Sequence, residues 1–298
     1  MPAAAIRYHG HSCRSHGMNV EDRALVFSCR EAALYGILSL PRQAQSCGVL
    51  IVVGGAQYRA GSHRQFTLLA RDLAAHGFPV LRFDYRGMGD SEGSMRNFET
   101  IGDDIRAAVD RFMAEAASIR KVVIWGLCDG ASAALLYAHQ DPRIAGLVLV
   151  NPWARTEAGI AKTYLKHYYH ARLMDAELWK KIGRGKFDYS AASRSLLQLI
   201  GRALGSKVMA GASDSDSLPD RMLHGFSRFK GRVLLILSGN DLTAREFSEL
   251  ERGSAQWQKL IRSDRVQRFE LHGANHTFAR RAWREAIAAR TREWLGGQ

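Results

Sequence analysis

A short turn between an apolar run and a run of small residues constrains this chain more than any other feature. Residues 121–130 read KVVIWGLCDG, so a β-strand leads through G-x-C-x-G directly into a helix. Such a turn forces its central residue into a strained conformation, and the glycines to either side let strand and helix pack closely. The pattern predicts a nucleophile elbow with Cys128 as the nucleophile. The alternative is that Cys128 is only a small buried residue at a strand end.

Apolar runs of strand length alternate with helical periodicity along most of the chain, which is typical of a parallel sheet built from strand–helix–strand units. A pair of antiparallel strands is predicted at residues 23–28 and 33–40, before the parallel strands. The other predicted strands are residues 49–53, 79–83, 121–125, 146–150, 233–238 and 266–271, and the predicted helices are residues 62–76, 101–117, 131–139 and 277–295. Ser62 and Gln65 predict a capping box on the first helix. A globular α/β domain with a mostly parallel central sheet and helices on both faces follows.

The alternation stops at residues 151–231, which predicts a helical cap inserted before the last two strands. The predicted core is then residues 18–150 and 232–298. Residues 151–213 hold 11 Lys or Arg and 4 Asp or Glu, so they carry over half of the chain's formal net charge of +13. This charge favours an acidic carrier or a membrane surface as partner, unless it only keeps the cap soluble. No nucleic-acid recognition motif accompanies it, so nucleic acid is not predicted.

The remaining cysteine and histidine patterns predict neither a metal site nor a cofactor site. Residues 1–17 lack the apolar segment of a secretory signal, and we interpret them as a disordered or mis-annotated leader. Their histidines and Cys13 match no metal-ligand spacing. The four cysteines, Cys13, Cys29, Cys47 and Cys128, predict reduced thiols in the cytoplasm and no disulfide framework.

A nucleophile of this kind needs a base and an orienting acid, which follow it along the chain in the order acid, then histidine. Asp241 follows the strand at residues 233–238, and His276 follows the last strand, so both side chains are predicted at the carboxyl edge of the sheet. Asp241 has an alternative role as cap of a helix that begins near Thr243. His272 is the rival base, and its position at the strand end disfavours it.

Two loops before the nucleophile have different predicted roles. The turn at residues 53–57 ends the first parallel strand, where Ala56 or Gln57 is the candidate donor of one backbone N–H to an oxyanion, and Asp129 is the candidate for the other. The alternative is that its two glycines only form a tight turn. Residues 84–91, DYRGMGDS, are interpreted as structural, with Asp84 and Arg86 bracing the loops beneath the site.

From Met18 to its end the chain resembles the α/β-hydrolase superfamily, and within it the type 1 hydrolases associated with exosortase A systems. The resemblance includes the stretches GGAQYRAGSHRQF, DYRGMGDSEG, GLCDGASAALLYA and NPWARTEAG. It implies the α/β-hydrolase fold and a cytoplasmic bacterial hydrolase, encoded near exopolysaccharide and protein-sorting genes, whose substrate is not established.

These observations predict a Cys-His-Asp enzyme that acts on an ester or thioester, carried by a small molecule or a carrier, through an acyl-enzyme. An acyltransferase that uses the same intermediate stays open, and the similarity to dienelactone hydrolases adds lactones. A second class is a non-catalytic protein that binds an anionic lipid or glycan. A peptidase is the third reading, although no pocket for a peptide N-terminus is evident in the sequence.

Overall fold

The computed structural model describes residues 20–55, 57–154 and 217–297. The strands are β1 (Val20–Cys29), β2 (Ala32–Pro41), β3 (Cys47–Val52), β4 (Val80–Phe83), β5 (Lys121–Leu127), β6 (Ile144–Val150), β7 (Arg232–Ser238) and β8 (Val266–Leu271). The helices longer than one turn are α1 (Gln65–Ala75), α2 (Gly102–Glu115), α3 (Asp129–Tyr137), α4 (Leu218–Arg228), α5 (Leu242–Gly253), α6 (Ala255–Ile261) and α7 (Arg281–Gly296). All eight predicted strands are confirmed. The helices α4 and α6 were not predicted.

The eight strands form one sheet in the order β1-β2-β4-β3-β5-β6-β7-β8. The strand β2 pairs antiparallel with both β1 and β4, and every later pairing is parallel. Parallel strands covered on both faces become continuous apolar runs, and β3, β5, β6 and β7 are buried over almost their whole length. Their carboxyl ends meet at one edge, where the predicted site residues follow.

Helices cover both faces of the sheet. On one face, Val49, Ile51 and Trp125 pack in a core cluster with residues of α1 and α7, such as Phe66 and Ile287. On the other face Gly48 of β3 approaches α2 so closely that an added Cβ would lie 2.8 Å from the ring of Phe112. Each buried strand therefore contributes apolar side chains to two cores.

The start of α1 differs from the predicted capping box. Ser62 lies in a separate 3-10 turn, and α1 begins at Gln65 after Arg64, which has a left-handed φ of 58° and makes no side-chain cap hydrogen bond. A capping box needs a cap residue with extended backbone one position before the helix. The left-handed pair His63 and Arg64 separates Ser62 from the helix, so this prediction is wrong.

The chain divides into two compact units. One unit comprises residues 1–153 and 222–298, and the other comprises residues 154–221. The predicted leader, residues 1–17, and most of the predicted basic cap, residues 151–231, lie outside the described residues. Within the part of the chain that the structure describes, no helix is long and apolar enough to cross a membrane.

Candidate active site

Cys128 stands between β5 and α3 in the conformation that the elbow requires. Its backbone has φ 60° and ψ −126°, a left-handed φ that costs a residue with a side chain on the order of 1–3 kcal/mol. The strain is held by hydrogen bonds at both ends of the residue. Its N–H donates to Val150 O at 2.9 Å, and its carbonyl accepts from Ala131 N at 3.0 Å.

The two glycines of the elbow are needed for close approach. A Cβ on Gly126 would lie 2.5 Å from Gly130 O, and one on Gly130 would lie 2.4 Å from Val52 O. Backbone atoms cannot give way as a flexible side chain does. The spacing of G-x-C-x-G is therefore a packing requirement, as the sequence predicted.

Asp241 uses its two carboxylate oxygens for two different partners. Its Oδ1 accepts from Thr243 N at 3.0 Å and caps α5, while its Oδ2 lies 2.8 Å from Nδ1 of His276. A carboxylate has lone pairs enough for both bonds. The helix cap and the contact with histidine, which the sequence presented as alternatives, are both present.

The loops that carry Asp241 and His276 are bonded to each other through their backbones. Gly239 N donates to Leu271 O at 3.0 Å, and Asn240 N donates to Ala274 O at 2.9 Å. A Cβ on Gly239 would lie 3.0 Å from Gly273 N. The distance between acid and histidine is therefore set by the backbone.

His276 also interacts with Cys128, and its two neighbours raise its pKa. The hydrogen bond to Asp241 first, and the one to Cys128 second, raise the pKa of His276 to about 10, against the opposing effect of burial. Because Nδ1 faces Asp241, the other ring nitrogen is the one left for Cys128. The three side chains thus form one connected chain of contacts, Asp241 to His276 to Cys128.

We expect Asp241→Asn to lower the pKa of His276 from about 10 toward its ordinary value of 6.5, since it removes the largest cause of the shift. Asparagine remains a good helix cap, so α5 should keep its first turn. An NMR titration of the ring resonances measures this change. A His276 pKa that is the same in both proteins would contradict the assigned cause.

The raised pKa of His276 also predicts that the stability of the protein depends on pH. A raised histidine pKa stabilises the folded state below about pH 6.5, and this contribution is lost as the pH rises toward 10. The free energy of unfolding should therefore fall less between pH 6.5 and 10 in Asp241→Asn than in the original protein. Urea unfolding at several pH values checks this.

The candidate oxyanion donors do not all face the elbow. Asp129 N–H lies at the start of α3, next to Cys128. The N–H of Gln57 donates to Gly55 O at 2.8 Å and is engaged inside its own loop, while Ala56 lies outside the described residues. The amide that reaches the elbow is that of Gly55, which donates to Asp129 Oδ1 at 2.5 Å. Sequence reasoning missed Gly55, although its φ of 66° requires a glycine and marks the turn.

A buried polar pair next to the acid loop was also missed. Asn151, at the end of β6, donates from Nδ2 to Ser238 Oγ at 2.9 Å and accepts from Ser238 N at 2.8 Å. Both residues are almost fully buried, so the pair ties the ends of β6 and β7 together just before the loop of Asp241. The left-handed φ of 46° at Asn151 is a signal that only the structure reveals.

The other residues that the sequence analysis named near this edge of the sheet either have structural roles or lie away from Cys128. Asp84 Oδ1 accepts from Arg59 N at 2.7 Å, and Arg86 bonds Asp104 on α2, so residues 84–91 brace neighbouring loops as predicted. His272 is exposed at the end of β8. His139 is half-buried, and its ring centroid lies 6.0 Å from that of His224.

Comparison with known proteins identifies the family. A family model described as serine aminopeptidase, S33, matches residues 44–195, which is just over half of the chain. The chain belongs to this S33 family of hydrolases. The family description names a serine enzyme, whereas this S33 protein has Cys128 at the elbow.

Two curated relatives match shorter segments. A quorum-quenching protein, AidA, of Acinetobacter baumannii is 33% identical over 127 residues, which is 40% of each chain. A polyketide transferase, grgF, of a Penicillium species is 31% identical over 88 residues, 28% of this chain and 30% of the relative. The match therefore spans less than half the length of either relative.

Solved structures extend the similarity to nearly the whole S33 chain. An esterase of Pyrococcus furiosus is similar with a TM-score of 0.63 and 16% identity, covering 93% of this chain and 91% of the esterase. A dienelactone hydrolase of Anabaena variabilis is similar with a TM-score of 0.60 and 15% identity, covering 94% and 98%. At this identity the likeness concerns the fold, and the predicted α/β-hydrolase fold is confirmed.

Proposed function

We propose that the chain is a cysteine hydrolase in which Cys128 attacks the carbonyl carbon of an ester or thioester, His276 moves the proton and Asp241 orients the imidazole. The observation that carries this proposal is the unbroken contact from Asp241 Oδ2 through His276 to Cys128, at a residue with the elbow's left-handed φ. Nucleophile, base and orienting acid in hydrogen-bond contact are the signature of covalent acyl transfer.

In the proposed reaction, His276 takes the thiol proton of Cys128, and the sulfur forms a bond to the carbonyl carbon while the carbonyl π electrons move to oxygen. Collapse of this intermediate breaks the bond to the leaving alcohol or thiol, which takes its proton from His276, and leaves a thioester on Cys128. Water, deprotonated by His276, then attacks that thioester and releases the acid. The high pKa of His276 suits the step in which it acts as an acid.

The other two described cysteines lack such an environment. Cys29 is buried in β1, and burial is the largest cause that raises the pKa of its thiol. Burial also raises the pKa of Cys47 to about 11. None of these three described cysteines is disulfide-bonded. Because the thiolate is the nucleophilic form, Cys29 and Cys47 serve as matched controls for Cys128.

An acyl-enzyme should therefore form on Cys128 alone. A short thioester, mixed with the protein and quenched in acid within seconds, should add one acyl mass, which peptide mapping assigns to Cys128. Cys128→Ala should show no added mass, while Cys29→Ala and Cys47→Ala should be acylated as the original protein is. An acyl group in Cys128→Ala would refute the assigned nucleophile.

Acyl transfer is the second candidate, and the polyketide transferase relative is the observation that favours it. Both reactions share the acyl-enzyme and differ only in what attacks it. Adding a small amine or alcohol to the thioester assay separates them. Acyl product formed in preference to free acid indicates a transferase, and free acid in constant yield indicates a hydrolase.

The setting of the reaction belongs to the same proposal. We propose a cytoplasmic enzyme linked to exosortase and exopolysaccharide systems, on the stretches of sequence that resemble that family. The acyl group would come from a small molecule or a carrier. The family description names an aminopeptidase, but among the described residues we find none that would bind the N-terminus of a peptide.

A further inference from the structure

A side-chain carboxylate lies among the backbone amides next to Cys128. Asp129 Oδ1 accepts from Gly55 N at 2.5 Å. Burial raises the pKa of this carboxyl group, and the backbone N–H groups of Gly130 and of Asp129 itself oppose that rise. These three amides come from the loop after β3 and from the first turn of α3, and together they form a nest for an anion.

The carboxylate fills the space of this nest. A Cβ added to Gly54 would lie 2.4 Å from Asp129 Oδ1 and 3.0 Å from Gly130 N, so only a glycine leaves room for the carboxylate here. Burial raises the pKa of Asp129, while the amides and the charge of His276 oppose this effect. The charge of Asp129 also acts on Tyr85: burial first and the charge of Asp129 second raise the pKa of Tyr85 to about 12.

The proposed reaction needs the same amides. When the Cys128 sulfur adds to a carbonyl carbon, the oxygen becomes an anion that has to be bound by preorganised N–H donors close to the elbow. Asp129 N–H and Gly55 N–H are the described amides there. The Asp129 carboxylate accepts from Gly55 N–H, and its own N–H favours its charged form. Two anions cannot share these donors, because their repulsion in a half-buried site is larger than in water.

We propose that the side chain of Asp129 occupies the oxyanion site of the substrate-free protein and has to rotate out before a substrate carbonyl can bind there. The inference rests on the proposed function and deepens it: Asp129 acts as a brake on acylation through its side chain. Asp129 is only partly buried.

Two reagents separate this brake from a general effect on the nucleophile. Acylation of Cys128 by a short thioester needs the oxyanion site, whereas alkylation by iodoacetamide needs the sulfur but forms no oxyanion. Both rates are measured for the original protein, Asp129→Ala, Asp129→Asn and the control Asp103→Ala. Asp103 is an exposed carboxylate on α2 that pairs with Arg30, so its removal tests the loss of one negative charge elsewhere.

The brake predicts that Asp129→Ala raises the ratio of the acylation rate to the alkylation rate about tenfold or more, since an oxyanion donor is worth about 10²-fold to 10³-fold. Asp129→Asn should raise the ratio less, because its amide oxygen can still accept from Gly55 N–H without a charge. Asp103→Ala should leave the ratio unchanged.

An unchanged or lower ratio in Asp129→Ala would overturn the brake and would mean that the carboxylate only holds the loop of Gly55. If Asp129→Ala fails to fold, Asp129→Asn tests the brake instead: a higher ratio of acylation to alkylation supports it, and an unchanged or lower ratio overturns it. Equal changes in both rates would also overturn it, since they indicate an altered sulfur. Acylation that persists in Cys128→Ala, or no acylation of any variant, refutes the proposed function itself.

Discussion

Cys128→Ala and His276→Ala are each expected to lower kcat/KM on a model thioester by about 10⁴-fold or more, because the members of such a triad act as one unit. Asp241→Asn should be milder than His276→Ala, since the base remains and the cap of α5 is kept. Cys128→Ser should lose a large part of the activity but retain some, because a hydroxyl needs a stronger base than a thiol. Steady-state kinetics at one pH measures all four.

The controls for this series are Cys47→Ala and Cys29→Ala, which should keep kcat/KM within about twofold of the original. Thermal unfolding of each variant shows whether a loss of rate reflects a loss of fold. If Asp241→Ala keeps at least half of the original rate, the assigned acid is wrong. If Cys128→Ala does so, the site lies elsewhere.

The largest expected loss of stability comes from Asp104→Ala. Asp104 is fully buried on α2, and its carboxylate accepts from Arg86 N and Nε at 2.9 Å and from Nη2 at 2.8 Å. Arg86 is 5% exposed. Removing one partner of a buried ion pair leaves an uncompensated charge, which costs about 3–5 kcal/mol of unfolding free energy. Urea unfolding followed by circular dichroism measures this.

Its neighbour Asp103 supplies the matched control. Asp103 is half-exposed, lying 2.7 Å from Arg30 and 3.7 Å from Arg86. An exposed pair of this kind contributes about 0–1 kcal/mol, so Asp103→Ala should change the unfolding free energy little. Equal effects of the two alanine variants would show that the buried pair does not brace the loop at residues 84–91.

The elements of the sheet could be predicted because their signals are local. Apolar runs such as VVIW in β5 and LLIL in β7 have the length of a strand, and both are buried in the sheet. The left-handed φ of 53° at Arg30, between β1 and β2, is known only from the structure. The helix α6 was missed, since its seven residues carry too few apolar positions to define a period.

The candidate site was predicted only in part. The spacing of residues around Cys128 and the order of Asp241 and His276 depend on turn geometry, which the sequence encodes within a few residues. Gln57 was chosen as a donor from its place after β3, but its amide is used by Gly55 O. Which amide of a loop points at a site depends on individual φ and ψ angles, and composition does not define these.

The sequence by itself determined the eight strands, the elbow with Cys128, and the positions of Asp241 and His276 after the last two strands, because periodicity and turn residues are properties of neighbouring positions. Only the tertiary structure decided that Asp241 divides its oxygens between Thr243 and His276, that Arg86 is neutralised by Asp104, and that the Asp129 carboxylate lies in the amide nest. Each of these depends on groups brought together by sheet pairing and helix packing, with a precision of a few tenths of an ångström that no local pattern specifies.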